Sequence, residues 1–191
     1  IVVKCYMCKT KCKPSTSENL RSRICDECTK LNNDMIRSSV DLTDRYAIVT
    51  GARIKIGYET ALMLLRDGCY VIGTTRFPVN ATERYAKEAD FDAWKHRLKI
   101  VRLDLQDVGS IRDFLDYVNR SVPYLDILIN NAAQTIFRPM DYYRPIIAQE
   151  MKALEFVAEN RTLSSLIPEQ NQLIESTVPA SIIAGHDGCL S

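Results

Sequence analysis

From residue 45 onward, short apolar runs alternate with longer stretches of mixed apolar and polar residues. The runs predict strands near 46–50, 70–75, 98–104 and 125–130. The stretches between them predict helices near 57–67, 81–96 and 108–120. Gly68 stands where the first of these helices stops, and Asn80 and Asp107 stand where the next two would be capped. The strands are rich in Ile, Val and Leu, which suits a parallel sheet covered on both faces. Repeated strand–helix–strand units predict a doubly wound α/β fold. After Pro139 the pattern weakens. One more helix is predicted over 146–159, and residues 160–191 read as loop.

The first 28 residues follow a different rule. They hold five of the seven cysteines, at 5, 8, 12, 25 and 28. Cys5-x-x-Cys8 and Cys25-x-x-Cys28 are separated by 16 residues. Two such knuckles build a tetrahedral sulfur cage suited to structural Zn²⁺, which replaces the core that a segment this short lacks. Cys12 is a fifth candidate, but the CxxC geometry favours Cys8. Four sulfurs close the site and exclude catalysis by the metal. Residues 1–36 are therefore expected to form a zinc-ribbon-like module and connector, with residues 31–44 as a polar link, ahead of a domain over 45–191. Lys9, Lys11, Lys13, Arg21 and Arg23 read as a solvated face of the ribbon in preference to a nucleic-acid contact.

Composition adds mainly exclusions. The chain has 191 residues, 46% apolar and 26% charged, with a net charge of +1. Such a balance supplies no field for nucleic acid or an anionic membrane. No apolar run approaches the roughly 20 residues needed to span a bilayer. Without a visible signal peptide, a cytoplasmic location is expected, and the sequons at Asn80 and Asn160 read as chance matches.

The turn Thr50-Gly51-Ala52-Arg53-Ile54-Lys55-Ile56-Gly57 lies between the first strand and the first helix. Strand, glycine turn and helix N-terminus together make a pyrophosphate site. The turn resembles the TGxxxGxG of short-chain dehydrogenases/reductases. Gly51 and Gly57 match its first and last glycines, and Lys55 replaces the middle one. Leu103-Asp104-Leu105 after the third strand and Asn130-Asn131-Ala132-Ala133 after the fourth, the latter similar to the family's NNAG, extend the likeness over about 45–139. Asp126 fits the segment leading into that fourth-strand motif.

The resemblance implies a Rossmann-like NAD(P) site. In it Gly51, Lys55 and Gly57 hold pyrophosphate, Asp104 and Leu105 the adenine, and Asn131, Ala132 and Ala133 the nicotinamide-side ribose. Ile56 and Thr75 complete the expected contacts. Lys55 needs a permissive backbone angle or a rearranged turn, and its ammonium has the right sign for a phosphate. The second strand ends on Arg76 with no acidic residue, so Arg76, with Arg53, is expected to hold the 2′-phosphate of NADP in preference to NAD.

The family's proton-transfer pair, Tyr-x-x-x-Lys, is not found at any of the nine tyrosines, and neither His96 nor His186 replaces it. The family's sheet also continues with three more strands, so this sheet is expected to be incomplete at its C-terminal side. The start at Ile1 favours a portion of a longer protein. The other reading is a shortened relative whose open flank is covered by a protein partner or a second copy. The expectation is an NADP-linked oxidoreductase of an unidentified small molecule, with its catalytic segment absent and this chain inactive alone. The alternative is a non-catalytic scaffold or cofactor sensor.

Overall fold

The computed structural model describes residues 1–133 and 138–168. The chain divides into two compact units, the first ending at Val40 and the second beginning at Asp41.

In the first unit, strands β1 (Val3–Lys4) and β2 (Lys11–Cys12) pair antiparallel. Helix α1 (Ser17–Ser22) starts where Thr16 Oγ1 accepts the Asn19 N–H at 3.0 Å, and stops at Arg23 with φ 56°. Helix α2 (Asp26–Arg37) is capped by the Cys25 thiol, which accepts the Cys28 N–H at 3.5 Å. Asp26 and Glu27 lie at its positive end and Arg37 at its negative end, which complements the macrodipole. Residues 31–37, expected as a polar link, therefore belong to this helix. The stretch has no buried residue, although Leu31, Met35 and Ile36 recur at helical spacing along it.

The second unit is built on strands β3 (Tyr46–Thr50), β4 (Tyr70–Thr75), β5 (Leu98–Arg102) and β6 (Ile127–Ile129). They form one parallel sheet in the order β5-β4-β3-β6. Helices α3 (Lys55–Arg66), α4 (Pro78–Tyr85), α5 (Phe91–Trp94), α6 (Val108–Ser121), α7 (Met140–Glu159) and α8 (Arg161–Ser164) complete it. Alternation along the strands separates two cores. Ala47, Val49, Val71 and Ile100 pack with Leu62 and Leu65 of α3, Tyr85 of α4 and Ala153 and Val157 of α7. Ile48, Ile72 and Val101 pack with Phe114 of α6 on the opposite side. This is the doubly wound α/β architecture. The sheet begins at β6 with Leu128 56% exposed. At its other border the Ile100 N–H of β5 donates to the Leu166 carbonyl at 2.7 Å.

Several expected boundaries change. The helix expected over 81–96 is broken into α4, α5 and a 3₁₀ turn over Lys95–Arg97. Tight turns after Tyr85 and the clasp of Glu88 and Asp90 by Arg66 divert the chain there. Asn80 lies inside α4 and does not cap it, because α4 starts at Pro78 after Phe77. Asp107 does cap α6, accepting the Gly109 N–H at 2.9 Å. Helix α7 starts at Met140 and takes Pro145 into its interior. Residues 161–164, expected as loop, form α8, with Asn160 Oδ1 accepting from Thr162 and Leu163. The expected loop over 169–191, His186 included, lies outside the described residues.

Candidate functional site

The turn after β3 is held from three sides. Gly51 has φ 71° and Lys55 φ 56°. Lys55 thus adopts the left-handed backbone that a glycine would take there without strain. Asn131 Nδ2 donates to the Thr50 carbonyl at 3.0 Å and to the Gly51 carbonyl at 3.3 Å. Thr50 Oγ1 in return accepts the Asn131 and Ala132 N–H groups at 3.0 and 2.9 Å. Asn131, expected at a ribose, therefore ties the end of β6 to the glycine turn. Tyr85, fully buried, donates its hydroxyl to the Ala52 carbonyl at 2.7 Å. Sequence reasoning missed Tyr85, since its partner lies on a different element 33 residues away.

Helix α3 opens from this turn with no side-chain cap and no acidic residue in its first turn, and Ile56 is 74% exposed. Its amide end therefore faces solvent with a positive dipole, which is the environment a pyrophosphate needs. The residues fit such a group.

Arg53 and Arg76 converge on one aromatic ring. Their guanidinium carbons lie 5.5 and 5.9 Å from the Phe77 ring centre. Arg76 also stacks on Tyr143 of α7 at 5.1 Å and donates to its hydroxyl at 3.4 Å. Arg53 donates to Asn80 Oδ1 at 3.0 Å, and burial pulls its pKa down. Thr75 Oγ1 accepts the Phe77 N–H at 3.1 Å and shapes the entry to α4. Asp104 is buried just beyond β5, where its carboxylate accepts the Gln106 N–H at 3.1 Å, while Leu105 is exposed beside it. Ala132 and Ala133 are exposed after β6. Asp126 pins the start of β6 to β3 by accepting from the Tyr46 N–H and Arg45, both at 2.9 Å. The Tyr46 contact, then Arg45, holds its carboxyl below the usual range.

A residue with no sequence signal stands at the same place. Glu150 of α7, 3% exposed, accepts the Val79 and Asn80 N–H groups at 2.7 Å each. It caps α4, the task expected of Asn80. Burial raises its pKa, against the pull of those two N–H groups and of Arg53 and Arg102. A separate groove of ≈ 420 Å³, lined in part by Glu83, Lys87, Phe91, Lys95 and Asn160, includes none of these residues and gathers no convergent chemistry.

In the first unit the sulfurs of Cys5, Cys8, Cys25 and Cys28 all lie within 4.8 Å of one another. Cys8 and Cys25 are 3.8 Å apart, and tetrahedral Zn–S bonds of about 2.3 Å place sulfurs about 3.8 Å apart. The Cys25 N–H donates to Cys5 Sγ at 3.4 Å and draws that thiol down to about 6. Hydrogen bonding with Cys25 and burial push Cys28 up to about 12. Four thiolates so close repel one another, and a divalent cation removes that conflict. Cys12 stands outside the group, with its thiol directed to the Val3 carbonyl and its pKa raised by burial.

Comparison with known proteins agrees with this architecture. The family model for short chain dehydrogenases matches residues 45–169. The chain belongs to the short chain dehydrogenase family. It is 41% identical over 139 residues to the uncharacterized protein R665 of Acanthamoeba polyphaga mimivirus, covering 69% of this chain and 29% of that protein. It is 37% identical over 91 residues to (+)-neomenthol dehydrogenase of Capsicum annuum, covering 46% and 28%. Among solved structures, menthone neomenthol reductase from Mentha piperita is similar with a TM-score of 0.42 and 28% identity, over 59% of this chain and 40% of that one. The chain spans less than a third of the length of these two curated relatives. Among the described residues, no helix is long and apolar enough to cross a membrane.

Proposed function

We propose that the second unit binds a nicotinamide dinucleotide, with NADP preferred, as part of an oxidoreductase acting on a small molecule. The observation that carries this reading is the turn itself: an uncapped helix N-terminus behind Gly51 and a lysine held at φ 56°. The cofactor, when bound, supplies hydride exchange with the substrate carbon. The protein's part is to hold it. Gly51, Lys55, Ile56 and Gly57 receive the pyrophosphate, Arg76 and Arg53 with Thr75 receive the 2′-phosphate, Asp104 and Leu105 border the adenine, and Asn131, Ala132 and Ala133 border the second ribose. The neomenthol dehydrogenase relative supports the reaction class.

The sequence offers no Tyr-x-x-x-Lys pair, so the 191-residue chain is proposed to bind cofactor without turning substrate over. That same observation favours the second reading, a non-catalytic scaffold or cofactor sensor. Fluorescence titration of the purified chain with NADPH, NADH and ATP tests the binding. Tightest binding of NADPH is expected, and binding of NADH or ATP without NADPH overturns the Arg76 assignment. A change in nicotinamide absorbance with any alcohol or ketone would show the chain competent alone.

The first unit is proposed to be a structural zinc module, in a cytoplasmic setting that keeps its thiols reduced. Metal analysis of the reduced protein is expected to give about one zinc per chain. A protein partner or second copy is proposed to cover the flank at Leu128, which sedimentation of the purified chain would reveal.

A further inference from the structure

Helices α3 and α4 both begin beside the proposed cofactor site, but their amide ends differ. That of α3 has no side-chain cap. That of α4 is filled by a carboxylate from α7, with both Glu150 oxygens on backbone N–H groups at 2.7 Å. Arg76 lies immediately before the α4 cap residue Phe77. Arg53 donates to Asn80, whose own N–H donates to Glu150. The two arginines share the Phe77 ring, and Arg76 is further held by Tyr143, seven residues before Glu150 on the same helix. Arg53 thus stands one shared partner, Asn80, away from an anion the chain already provides, and Arg76 precedes the amide end that this anion fills.

We propose that Glu150 and the 2′-phosphate of NADP are alternative occupants of one anion site, so that the phosphorylated cofactor seats only when Glu150 is displaced from the amide end of α4. This rests on the cofactor reading above. Two anions do not share the same two N–H donors, and their charges repel strongly in so buried a place. A cofactor with a free 2′-hydroxyl brings no such charge and leaves Glu150 where it is. Glu150 is therefore a specificity-determining residue that opposes Arg76. It connects the choice of cofactor to the docking of α7, whose Ala153 and Val157 are packed in the core.

The test uses the full chain and two simple probes, adenosine 2′,5′-bisphosphate and 5′-AMP. Wild type, Glu150→Gln and Glu150→Ala are titrated by calorimetry. Both substitutions are expected to tighten the bisphosphate about tenfold while 5′-AMP changes by less than about twofold, because only the bisphosphate meets the lost charge. In wild type the bisphosphate, and not 5′-AMP, is expected to speed amide hydrogen exchange in α7 around Glu150. The second variant guards against a Glu150→Gln side chain that still accepts one of the N–H groups. If 5′-AMP binds and the bisphosphate affinity is the same in all three proteins, or both ligands shift together, Glu150 is only a helix cap and the proposal is overturned with the cofactor reading intact. If neither probe binds any of the three, the cofactor reading falls and this proposal with it.

Discussion

Gly57 stands so close to Asn131 that a Cβ on it would lie 2.4 Å from Asn131 Nδ2. The same Cβ would lie 2.4 Å from the Gly51 carbonyl oxygen. One neighbour is backbone, and the other is the amide that anchors the turn to β6, so neither gives way cheaply. Gly57→Ala must break the Asn131 contacts or shift the start of α3. Overpacking of this kind costs about 1–3 kcal/mol. An unfolding free energy from urea denaturation lowered by that amount, with a correspondingly lower midpoint and weaker dinucleotide binding, is the expected outcome. An unchanged midpoint would mean that the turn is looser than the Asn131 bonds imply.

Lys55 gives the opposite sign. A side chain at φ 56° costs about 1–2 kcal/mol, and a glycine returns about 0.5–1 of this through its greater freedom in the unfolded chain. Lys55→Gly is therefore expected to stabilise the protein by about 0.5–1 kcal/mol. Lys55→Ala keeps the strain and is expected to be close to neutral. If the ammonium meets a phosphate, both substitutions weaken NADPH binding alike. Unfolding and titration of the same two variants thus separate backbone strain from charge.

Which of these relationships were legible in the sequence follows from the distance over which each is made. The bounds of β3 and β4 were readable at 46–50 and 70–75, because each opens on an apolar run, 46–49 and 70–72, as a strand buried on both sides needs. Lys55 was legible as a difficulty, since a lysine replaces a glycine there, and the structure resolves the difficulty by keeping the glycine-like backbone. Glu150 was not legible. It lies on a helix with no special spacing, and its partners are 70 and 71 residues away. Asn80 was mistaken for a cap because local pattern suggests that caps come from neighbouring residues, whereas tertiary packing supplied this one. Helix α2 was missed for a different reason: Cys28, Leu31, Met35 and Ile36 recur at helical spacing, but few apolar residues among many polar ones read as a connector, and Leu31, Met35 and Ile36 are all exposed.

Arg66 sets up a pH dependence. Its Nε donates to Asp90 at 2.7 Å and a terminal nitrogen donates to Glu88 at 3.1 Å. The contact with Arg66 lowers the Asp90 carboxyl to about 2. A carboxyl lowered in the folded state adds stability above its unfolded value near 3.8 and loses it as pH falls through the folded value. The pair therefore contributes at neutral pH and fades between about pH 5 and pH 2. Side-chain exposures of 44% and 38% weaken it by screening, so about 0.5–1 kcal/mol is expected. Asp90→Asn should lower stability by that amount at pH 7, less in high salt, and by only a small fraction of it at pH 2. A difference undiminished at pH 2 would assign the loss to packing and not to charge.

Tyr85 and Tyr58 lie side by side, 4.6 Å between ring centres, and each donates a hydroxyl hydrogen bond. Their environments differ, and so should the cost of removing each oxygen. The Tyr85 hydroxyl reaches the Ala52 carbonyl in a fully buried position, where burial pushes its pKa up and no water replaces the lost partner. Tyr85→Phe strands that carbonyl, at a cost of about 1–3 kcal/mol for an unsatisfied buried group. The Tyr58 hydroxyl reaches Glu88 Oε1 at 2.7 Å, and Glu88 keeps Arg66 as a partner when it is gone. Tyr58→Phe is therefore expected to cost about 1 kcal/mol or less. The larger effect of Tyr85→Phe should also reach the site, because Ala52 is the third residue of the glycine turn and its N–H donates to the Thr74 carbonyl at 3.0 Å. Denaturation midpoints and dinucleotide affinity measured on both variants check this. Equal losses of stability would mean that the buried carbonyl finds another donor, and unchanged affinity in Tyr85→Phe would separate the turn's stability from its binding.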